Sequence, residues 1–387
     1  MKRYILTTLL CCCIILQGCQ APAASINTPV GTSEPSVANE TPMAPGTEQS
    51  APVASFEPVS LKAGYGFRSS WLDMYFTDPA SIYAPEEVGG VDGILSAAII
   101  SANESVDVAL SSLSLPVLTN ALIRAHDRGT KIRIVMESDY LDDVDRPNPK
   151  ALIDDGIPVI GDREKGNMSN NFVVIDNRQV WTGSMNFTAT GVYHGYDYLI
   201  NIESEELAQN YLREFEEMFT TSQFGPNVVP DTPHPTLDVK GTQIESLFLP
   251  DDLFAARLTE LFNNAKESIV FSSFTFTSED FGDLLRKRAS EGVKVTGVID
   301  DFELDLAQVS QYELFKTAGL DVHLGSPDIV LFSNFIVIDD EIVVLGTYDF
   351  SRKAELTSDG NILIIHNADV AAKFLAEFQK IQSTAQK

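Results

Sequence analysis

The chain contains two copies of one sequence pattern, related by a single fixed displacement along the chain, and this duplication limits its possible folds more than any other feature. The displacement places Glu104-Ser105-Val106 on Glu267-Ser268-Ile269 without a gap. It also relates Gly129 to Gly292, Phe172 to Phe335, Gly183 to Gly346, Phe187 to Phe350, and Glu214-Phe215 to Glu377-Phe378. Agreement at one displacement over so long a span indicates a duplicated domain. Residues related in this way are called counterparts below.

Each copy alternates helical and strand patterns. In the first copy Leu118, Ala121, Leu122 and Ala125 share one helical face, which ends at Gly129 as a C′ glycine would. The run KIRIVM that follows has the composition of a strand. Strands alternating with helices predict an α/β fold in each half. Two related halves are expected to pack about a pseudo-twofold axis, where a site would receive equivalent residues from both.

The first sixty residues carry targeting and linker signals. Lys2 and Arg3 precede an apolar run that is too short to span a bilayer. The run ends in LQGC, which is similar to the lipobox of bacterial lipoproteins, so we predict a signal peptide over 1–18 and lipid attachment at Cys19. The alternative is an ordinary secretory signal with an incidental Cys19. The Pro-, Ser-, Thr- and Ala-rich segment 19–60 is predicted to be a flexible tether.

The rest of the chain is predicted to form a first repeat over 61–225, a linker over 226–240 and a second repeat over 241–387. Its lipid would hold it to the extracytoplasmic side of a membrane, in the cell envelope. The formal net charge of −28 disfavours a nucleic-acid partner, because phosphate neutralisation needs a basic face. All four Cys lie at or before position 19, so we predict no disulfide, no thiol nucleophile and no Cys-ligated metal in the folded part. No metal and no other cofactor is expected. The pattern gives no sign of the oligomeric state.

Three segments carry a resemblance to a known family. WLDMYFTDP, FVVIDNRQVWTGSMNFTATG and FIVIDDEIVVLGTYDFSRKAE resemble the phospholipase D superfamily of the two-repeat kind, and the likeness runs from about Trp71 to the end. The resemblance implies a metal-free phosphodiesterase or phosphatidyl transferase. Each repeat of that family supplies His-any-Lys, four more residues and Asp. One His attacks phosphorus, the other protonates the leaving oxygen, and the Lys pair holds the phosphate with the Asn that follows a Gly-Ser.

The first copy keeps the spacing of this motif but lacks its His and Lys. Asp176 stands at the motif Asp, which puts Ser169 at the His position and Asn171 at the Lys position. The Gly-Ser…Asn element survives as Ser184 and Asn186. Asn171 can still donate a hydrogen bond to an oxyanion, but neutral donors are about half as strong as charged ones.

The second copy departs further. Asp339 sets the frame, Phe332 takes the His position and Asn334 the Lys position. The small-residue element becomes Thr347 and Asp349, and a carboxylate there would repel a phosphate. Asp339 and its counterpart Asp176 also have a purely structural interpretation, because Asp is common in the turn that follows a buried strand.

The absence of the motif His and Lys argues against the phosphodiesterase mechanism of the family. Ser169 has no evident base beside it, and Phe332 cannot transfer a proton. Of the five His in the chain, only His194 lies close enough in sequence to the motif to act as a substitute.

Three functional interpretations remain. The favoured one is a membrane-anchored lipoprotein without catalysis that binds a phosphate-containing ligand or a protein partner in the cleft between the repeats. The alternatives are a phosphodiesterase of the phospholipase D or nuclease type with an altered mechanism, and a purely structural envelope protein.

Overall fold

The computed structural model describes residues 55–143, 147–162, 167–306 and 310–386. The predicted signal peptide and Cys19 lie outside these residues. The elements of the first repeat, in chain order, are β1 Glu57–Leu61, β2 Gly64–Arg68, β3 Leu72–Thr77, α1 Val91–Ser101, β4 Ser105–Leu110, α2 Pro116–Asp127, β5 Lys131–Met136, α3 Ser138–Leu141, α4 Pro147–Asp154, β6 Val159–Gly161, β7 Asn167–Met168, β8 Asn171–Ile175, β9 Gln179–Gly183, β10 Gly195–Tyr196, β11 Tyr198–Glu203 and α5 Glu205–Thr221.

The second repeat follows the same plan. Its elements are β12 Thr236–Val239, β13 Thr242–Leu249, α6 Phe254–Asn264, β14 Ser268–Ser273, α7 Glu279–Ser290, β15 Lys294–Ile299, α8 Tyr312–Thr317, β16 Asp321–Leu324, β17 Val330–Leu331, β18 Phe335–Ile338, β19 Ile342–Gly346, α9 Arg352–Leu356, β20 Ser358–His366 and α10 Ala368–Thr384. Short 3₁₀ segments lie at Ala84–Glu86, Gly225–Asn227 and Asp301–Leu306, and a π-helical turn spans Thr190–His194.

Each repeat builds one mixed sheet, which confirms the predicted α/β fold. The first sheet has the order β1-β2-β3-β11-β9-β8-β4-β5-β6, and the second runs β12-β13-β20-β19-β18-β14-β15-β16. In the first sheet β4, β5 and β6 are parallel neighbours, and β14, β15 and β16 match them in the second. The other pairs on these paths are antiparallel.

Two boundaries differ from the sequence prediction. β1 begins at Glu57, inside the segment 19–60 that was expected to be tether, because Glu57–Leu61 pair with Gly64–Arg68 in a hairpin. β12 lies inside the expected linker 226–240, because Thr236–Val239 form an edge strand on β13. Both strands are edge strands with exposed positions, so neither carries the continuous apolar run of a central strand.

The turns between β8 and β9 and between β18 and β19 follow from their residue types. Asp176 and Asn177 have φ of 51° and 52°, and Asp339 and Asp340 have φ of 52° and 56°. Asn and Asp tolerate this left-handed conformation better than other non-glycine residues. The two hairpins therefore present the same backbone path in both repeats.

The helices α5 and α10 pack together with apolar residues of both sheets in one central core. In this core Phe374 of α10 lies 5.3 Å from Phe76 of the first sheet and 5.1 Å from Phe335 of the second, measured between ring centroids. Separate cores on the outer faces join α1 and α2 to the first sheet and α6 and α7 to the second. Since a buried Phe side chain contributes about 1.5–3 kcal/mol, the shared core holds the repeats together. No helix in the described part of the chain has the length and apolar character needed to cross a bilayer.

Two short strand pairs connect the repeats reciprocally. Asn167-Met168 pair in parallel with Ser358-Asp359. Gly195-Tyr196 pair in parallel with Val330-Leu331. The second pair consists of the counterparts of the first, because Val330-Leu331 correspond to Asn167-Met168 and Gly195-Tyr196 correspond to Ser358-Asp359. A pseudo-twofold axis produces such an exchange of equivalent segments. One strand pair lies beside the motif positions of each repeat.

Candidate functional site

A cleft of about 440 Å³ opens between the repeats. It is lined by every motif position except Asp176 and Asp339, together with residues from neighbouring loops. The lining residues are Ser111, Glu137, Asp139, Asn167, Met168, Ser169, Asn171, Ser184, Asn186, Phe274, Phe332, Asn334, Thr347 and Asp349. The structure thus brings together eight of the ten positions singled out in the sequence, four from each repeat. The cleft volume lies within the range of about 300–1,000 Å³ that is usual for ligand sites.

The motif residues Asp176 and Asp339 point away from the cleft and hold backbone. The Asp176 carboxylate accepts hydrogen bonds from the N–H groups of Asn103, Glu104 and Ser105, at 2.7–3.1 Å. Asp339 accepts the same three bonds from the counterpart residues 266–268. Partial burial opposes ionisation, but these donors outweigh it and lower the pKa of both carboxyls.

The two Asn at the Lys positions are also engaged in local hydrogen bonds. Asn171 Nδ2 donates to Asn186 Oδ1 at 3.2 Å, and Ser111 Oγ donates to the same oxygen at 3.0 Å. Asn334 Oδ1 accepts from the backbone N–H of Phe274 at 2.9 Å. A neutral amide network therefore occupies the place where charged donors would hold a phosphate.

One wall of the cleft is aromatic. The ring of Phe332 stacks on Phe274 with centroids 5.6 Å apart, and Phe274 stacks in turn on Phe302 at 5.5 Å. All three belong to the second repeat. Their counterparts in the first repeat are Ser169, Ser111 and Asp139. The two walls, although related by the duplication, have opposite polarity.

The cleft also carries three carboxylates, from Glu137, Asp139 and Asp349, and no Lys, Arg or His lines it within the described residues. Burial raises the pKa of Glu137, although the Met168 N–H, 2.9 Å away, partly offsets this. Burial also raises the pKa of Asp349. Lys353 is held at the edge, where its ammonium donates to Asn167 Oδ1. The local charge is therefore negative.

Sequence reasoning did not find Glu137 or Asp139. Both closely follow β5, whose carboxyl end lies beside that of the parallel strand β4. Polar residues just after neighbouring parallel strands collect at one edge of a sheet, and this signal would have pointed to them. Ser111 and Phe274, which follow β4 and β14, are brought to the cleft for the same reason.

Ser184 is bound to a buried acid. Its Oγ donates to the carboxylate of Asp197, which also accepts from the Tyr198 N–H at 3.0 Å. Burial raises the pKa of Asp197 to about 8, although the hydrogen bonds from Ser184 and Tyr198 act to lower it. The hydroxyl of Ser184 thus ties the cleft lining to the buried Asp197.

All five His lie away from the cleft lining. Their partners are Asp155 for His126, Glu87 for His194, Gln209 for His234, Asp321 for His323 and Glu245 for His366. His194, the predicted substitute, sits in the π-helical turn with its Nε2 3.2 Å from the Glu87 carboxylate. Ser169 Oγ makes no hydrogen bond to any described residue. Neither Ser169 nor any of the five His therefore supplies the described cleft with a nucleophile and an adjacent base.

Comparison with known proteins gives a family for both halves. The family model described as "Cardiolipin synthase, PLD-like domain" matches residues 95–219 and 258–382. The human protein named mitochondrial cardiolipin hydrolase is 31% identical over 129 residues, which are 33% of this chain and 50% of that protein. The phospholipase D of Rickettsia felis is 33% identical over 143 residues, 36% of this chain and 65% of the relative. The match to the human relative thus spans about half of its length.

A solved structure supports the fold. The phosphatidylserine synthase of Haemophilus influenzae superposes with a TM-score of 0.60 at 12% identity, covering 76% of this chain and 84% of that one. At this level of sequence identity, the structural similarity supports the fold and nothing beyond it. The family match to both repeats, the reciprocal strand pairs and the convergence of the motif positions agree: this chain belongs to the phospholipase D-like family and is built from two repeats.

Proposed function

We propose that this protein is a phospholipase D-like lipoprotein without phosphodiester chemistry, whose inter-repeat cleft binds a basic side chain of a protein partner at the outer side of a bacterial membrane. The observation that carries this proposal is the lining of the cleft. Three carboxylates and two stacked Phe rings line the cleft on which the motif positions converge, and Asp349 and Phe332 themselves occupy motif positions.

The loss of catalysis rests on the motif positions. A two-step displacement needs one group to attack phosphorus and another to protonate the leaving oxygen. Ser169 has no base beside it and Phe332 has no proton to give. General acid–base help alone accelerates such reactions about 10²–10⁴-fold, and neither Ser169 nor Phe332 supplies it.

The ligand class rests on charge. A phosphate-containing ligand and a protein partner were both open from the sequence. Glu137, Asp139 and Asp349 would repel a phosphate, whereas each can accept a charge-assisted hydrogen bond from Arg or Lys. The faces of Phe274 and Phe332 add cation–π attraction, worth about 0.5–2 kcal/mol according to desolvation. A guanidinium, which is planar and stacks on aromatic rings, suits both features of this cleft.

Anchoring rests on the N-terminal sequence. The LQGC segment and the Pro-rich stretch after it fit a lipid on Cys19 and a tether that lets the folded repeats reach a partner at the membrane surface. The acidic chain gains nothing from anionic lipid headgroups, so the covalent lipid supplies the attachment.

The test is calorimetry of the full-length protein with a short Arg-containing peptide, its Glu-containing counterpart and sulfate. We expect binding of the Arg peptide only. Glu137→Gln with Asp349→Asn should weaken it at least about tenfold, since a hydrogen bond to a charged group contributes about 1.5–3 kcal/mol. Asp321→Asn, an exposed acid outside the cleft, is the matched control and should leave binding unchanged.

Turnover of bis-p-nitrophenyl phosphate by the same preparation separates the alternatives. We expect none above background. Turnover that disappears in Ser169→Ala or His194→Ala would instead establish a phosphodiesterase with an altered mechanism. Binding of sulfate in preference to the Arg peptide would contradict the proposed ligand class, and binding of neither would favour a structural role.

A further inference from the structure

Outside the cleft, three carboxylates converge at the junction of the two repeats. Glu214 and Glu217 lie on α5 of the first repeat, and Asp251 lies in the loop after β13 of the second. One oxygen of each carboxylate lies within 4.8 Å of the corresponding oxygens of the other two. Glu214 is 7% exposed and Glu217 is 6% exposed, while Asp251 is half-buried and opens the group to solvent.

Glu214 has no partner for its charge. Although it is buried, it accepts no hydrogen bond and forms no ion pair within the described part of the chain. The carboxylates of Asp251, Asp359, Glu217 and Asp252 lie near it and add further negative charge. A buried carboxylate without a donor or counter-ion is unfavourable, so a cation bound beside Glu214 would stabilise this side chain.

The second repeat contains a related arrangement that includes a cation of its own. Glu377, the counterpart of Glu214, accepts a hydrogen bond from the Tyr65 hydroxyl. Lys380, the counterpart of Glu217, places its ammonium 3.1 Å from Asp78, which follows β3 as Asp251 follows β13. The cation at this position in the second repeat is thus replaced by a third carboxylate in the first.

Nearby side chains do not compensate for this difference. Arg213 lies 2.9 Å from Glu217, but the same guanidinium also pairs with Asp231. Asp252 accepts from the Phe248 N–H at 2.8 Å, and Asp359 accepts from the Gly225 N–H at 2.7 Å. These acids add negative charge around the three carboxylates and leave Glu214 without a donor.

We propose that Glu214, Glu217 and Asp251 bind a hard divalent cation, Ca²⁺ in the first place, which takes the position that the Lys380 ammonium occupies in the second repeat. The cation joins helix α5 to the loop after β13 and so links the two repeats.

The ligand set favours Ca²⁺ over other metals. All three ligands are carboxylate oxygens, without the nitrogen or sulfur that Zn²⁺ and Cu²⁺ prefer. Ca²⁺ accepts 6–8 oxygens at about 2.3–2.6 Å in flexible geometry, so two of its ligands can lie up to about 5 Å apart. Mg²⁺, at about 2.0–2.1 Å, would require the three oxygens to move closer together. Water from the open side near Asp251 would complete the shell.

The test is the thermal unfolding of the full-length protein in EDTA and in CaCl₂, with calorimetric titration of CaCl₂. We expect the midpoint to rise by on the order of 2–5 °C at saturating Ca²⁺, because a ligand that binds only the folded state stabilises it. Glu214→Gln, nearly isosteric, should abolish both the shift and the heat of binding. Glu206→Gln, an exposed acid on the same helix, is the matched control and should retain them.

A second variant tests the comparison between the repeats. Glu217→Lys supplies the ammonium that Lys380 supplies in the second repeat. Its unfolding midpoint should therefore not change with Ca²⁺, and in EDTA it should lie above that of the wild type. Circular dichroism verifies that each variant is folded. The proposal is overturned if the wild type responds to none of Ca²⁺, Mg²⁺ and Mn²⁺ at about 10 mM, a concentration that saturates even weak carboxylate sites. It is also overturned if Glu214→Gln and Glu217→Lys respond as the wild type does.

Discussion

At Asp176 and Asp339, one carboxylate in each repeat ties a hairpin turn to the loop before a central strand. The residues it binds lie 71–73 positions earlier in the chain, so each contact closes a long loop. These Asp do not approach the cleft, which explains how they remain in a chain that has lost the His and Lys of the same motif. Their presence reflects folding, and so it carries no information about catalysis.

Removing one of these carboxylates should destabilise the fold in a pH-dependent way. We expect Asp339→Asn to lower the free energy of unfolding by about 1–3 kcal/mol at pH 7, because charge-assisted bonds to backbone N–H are lost. The pKa of Asp339 is lowered in the folded state, so its contribution is present above the unfolded pKa and is lost as the pH falls through the folded one. Urea unfolding of wild type and variant should therefore converge in acid. Asp340→Asn, exposed and adjacent, is the control; an equal loss there would contradict this role.

The motif frame could be predicted from sequence because its spacing is local. Asp176 fixes Ser169 and Asn171 within a few residues, and the cleft contains both. Glu137 lies well before that motif in the chain and is placed by the parallel pairing of β4 and β5. Burial at the junction of the repeats, as at Glu214, depends on how the halves dock, and no short-range pattern encodes it.

Among the elements, the strands that end at Gly183 and Gly346 come very close to their neighbours. A Cβ at Gly346, where φ is 142°, would lie 2.1 Å from the backbone oxygen of Asn361 in β20. At Gly183 it would lie 2.4 Å from the backbone oxygen of Tyr198 in β11. Only glycine lets the strand pass at this distance, directly before the residues that enter the cleft.

We expect Gly346→Ala to destabilise the protein by at least about 2 kcal/mol, because both the backbone angle and the contact with Asn361 are unfavourable. Gly292→Ala separates the two effects. Its φ is 103°, but no atom lies within 4 Å of the new methyl group, so it should cost only about 1 kcal/mol. Chemical denaturation measures both; equal losses would mean that the close approach does not matter.

Long elements were more predictable than short ones. The helical face of Leu118, Ala121, Leu122 and Ala125 became α2, and Gly129 follows it with φ of 94°, as expected for a C′ glycine. The strands β7, β10 and β17 have two residues each, too few for any period to show. Their pairing across the repeats follows from docking, and β1 and β12 were missed because edge strands carry weak apolar patterns.

At the scale of the whole molecule, charge and anchoring are linked. A formal charge of −28 repels anionic membranes, and the helices described contain no span that crosses a bilayer. We expect radiolabelled palmitate to enter the wild-type protein in a bacterial host and to be absent from Cys19→Ala. Cys13→Ala, which keeps LQGC intact, should label normally. Equal labelling of wild type and Cys19→Ala would show that the N-terminus is an ordinary secretory signal.

The unequal walls of the cleft have a geometric consequence. Two identical halves related by a half-turn would accept a guest equally well in two opposite orientations. Here Phe274 and Phe332 line the cleft from the second repeat, and Ser111, Asp139 and Ser169 line it from the first, so the two orientations differ in energy. We therefore expect a partner that inserts a side chain, as proposed above, to favour one direction of approach. A cleft with unequal walls would distinguish the two directions of a bound chain, which a cleft between identical repeats could not do.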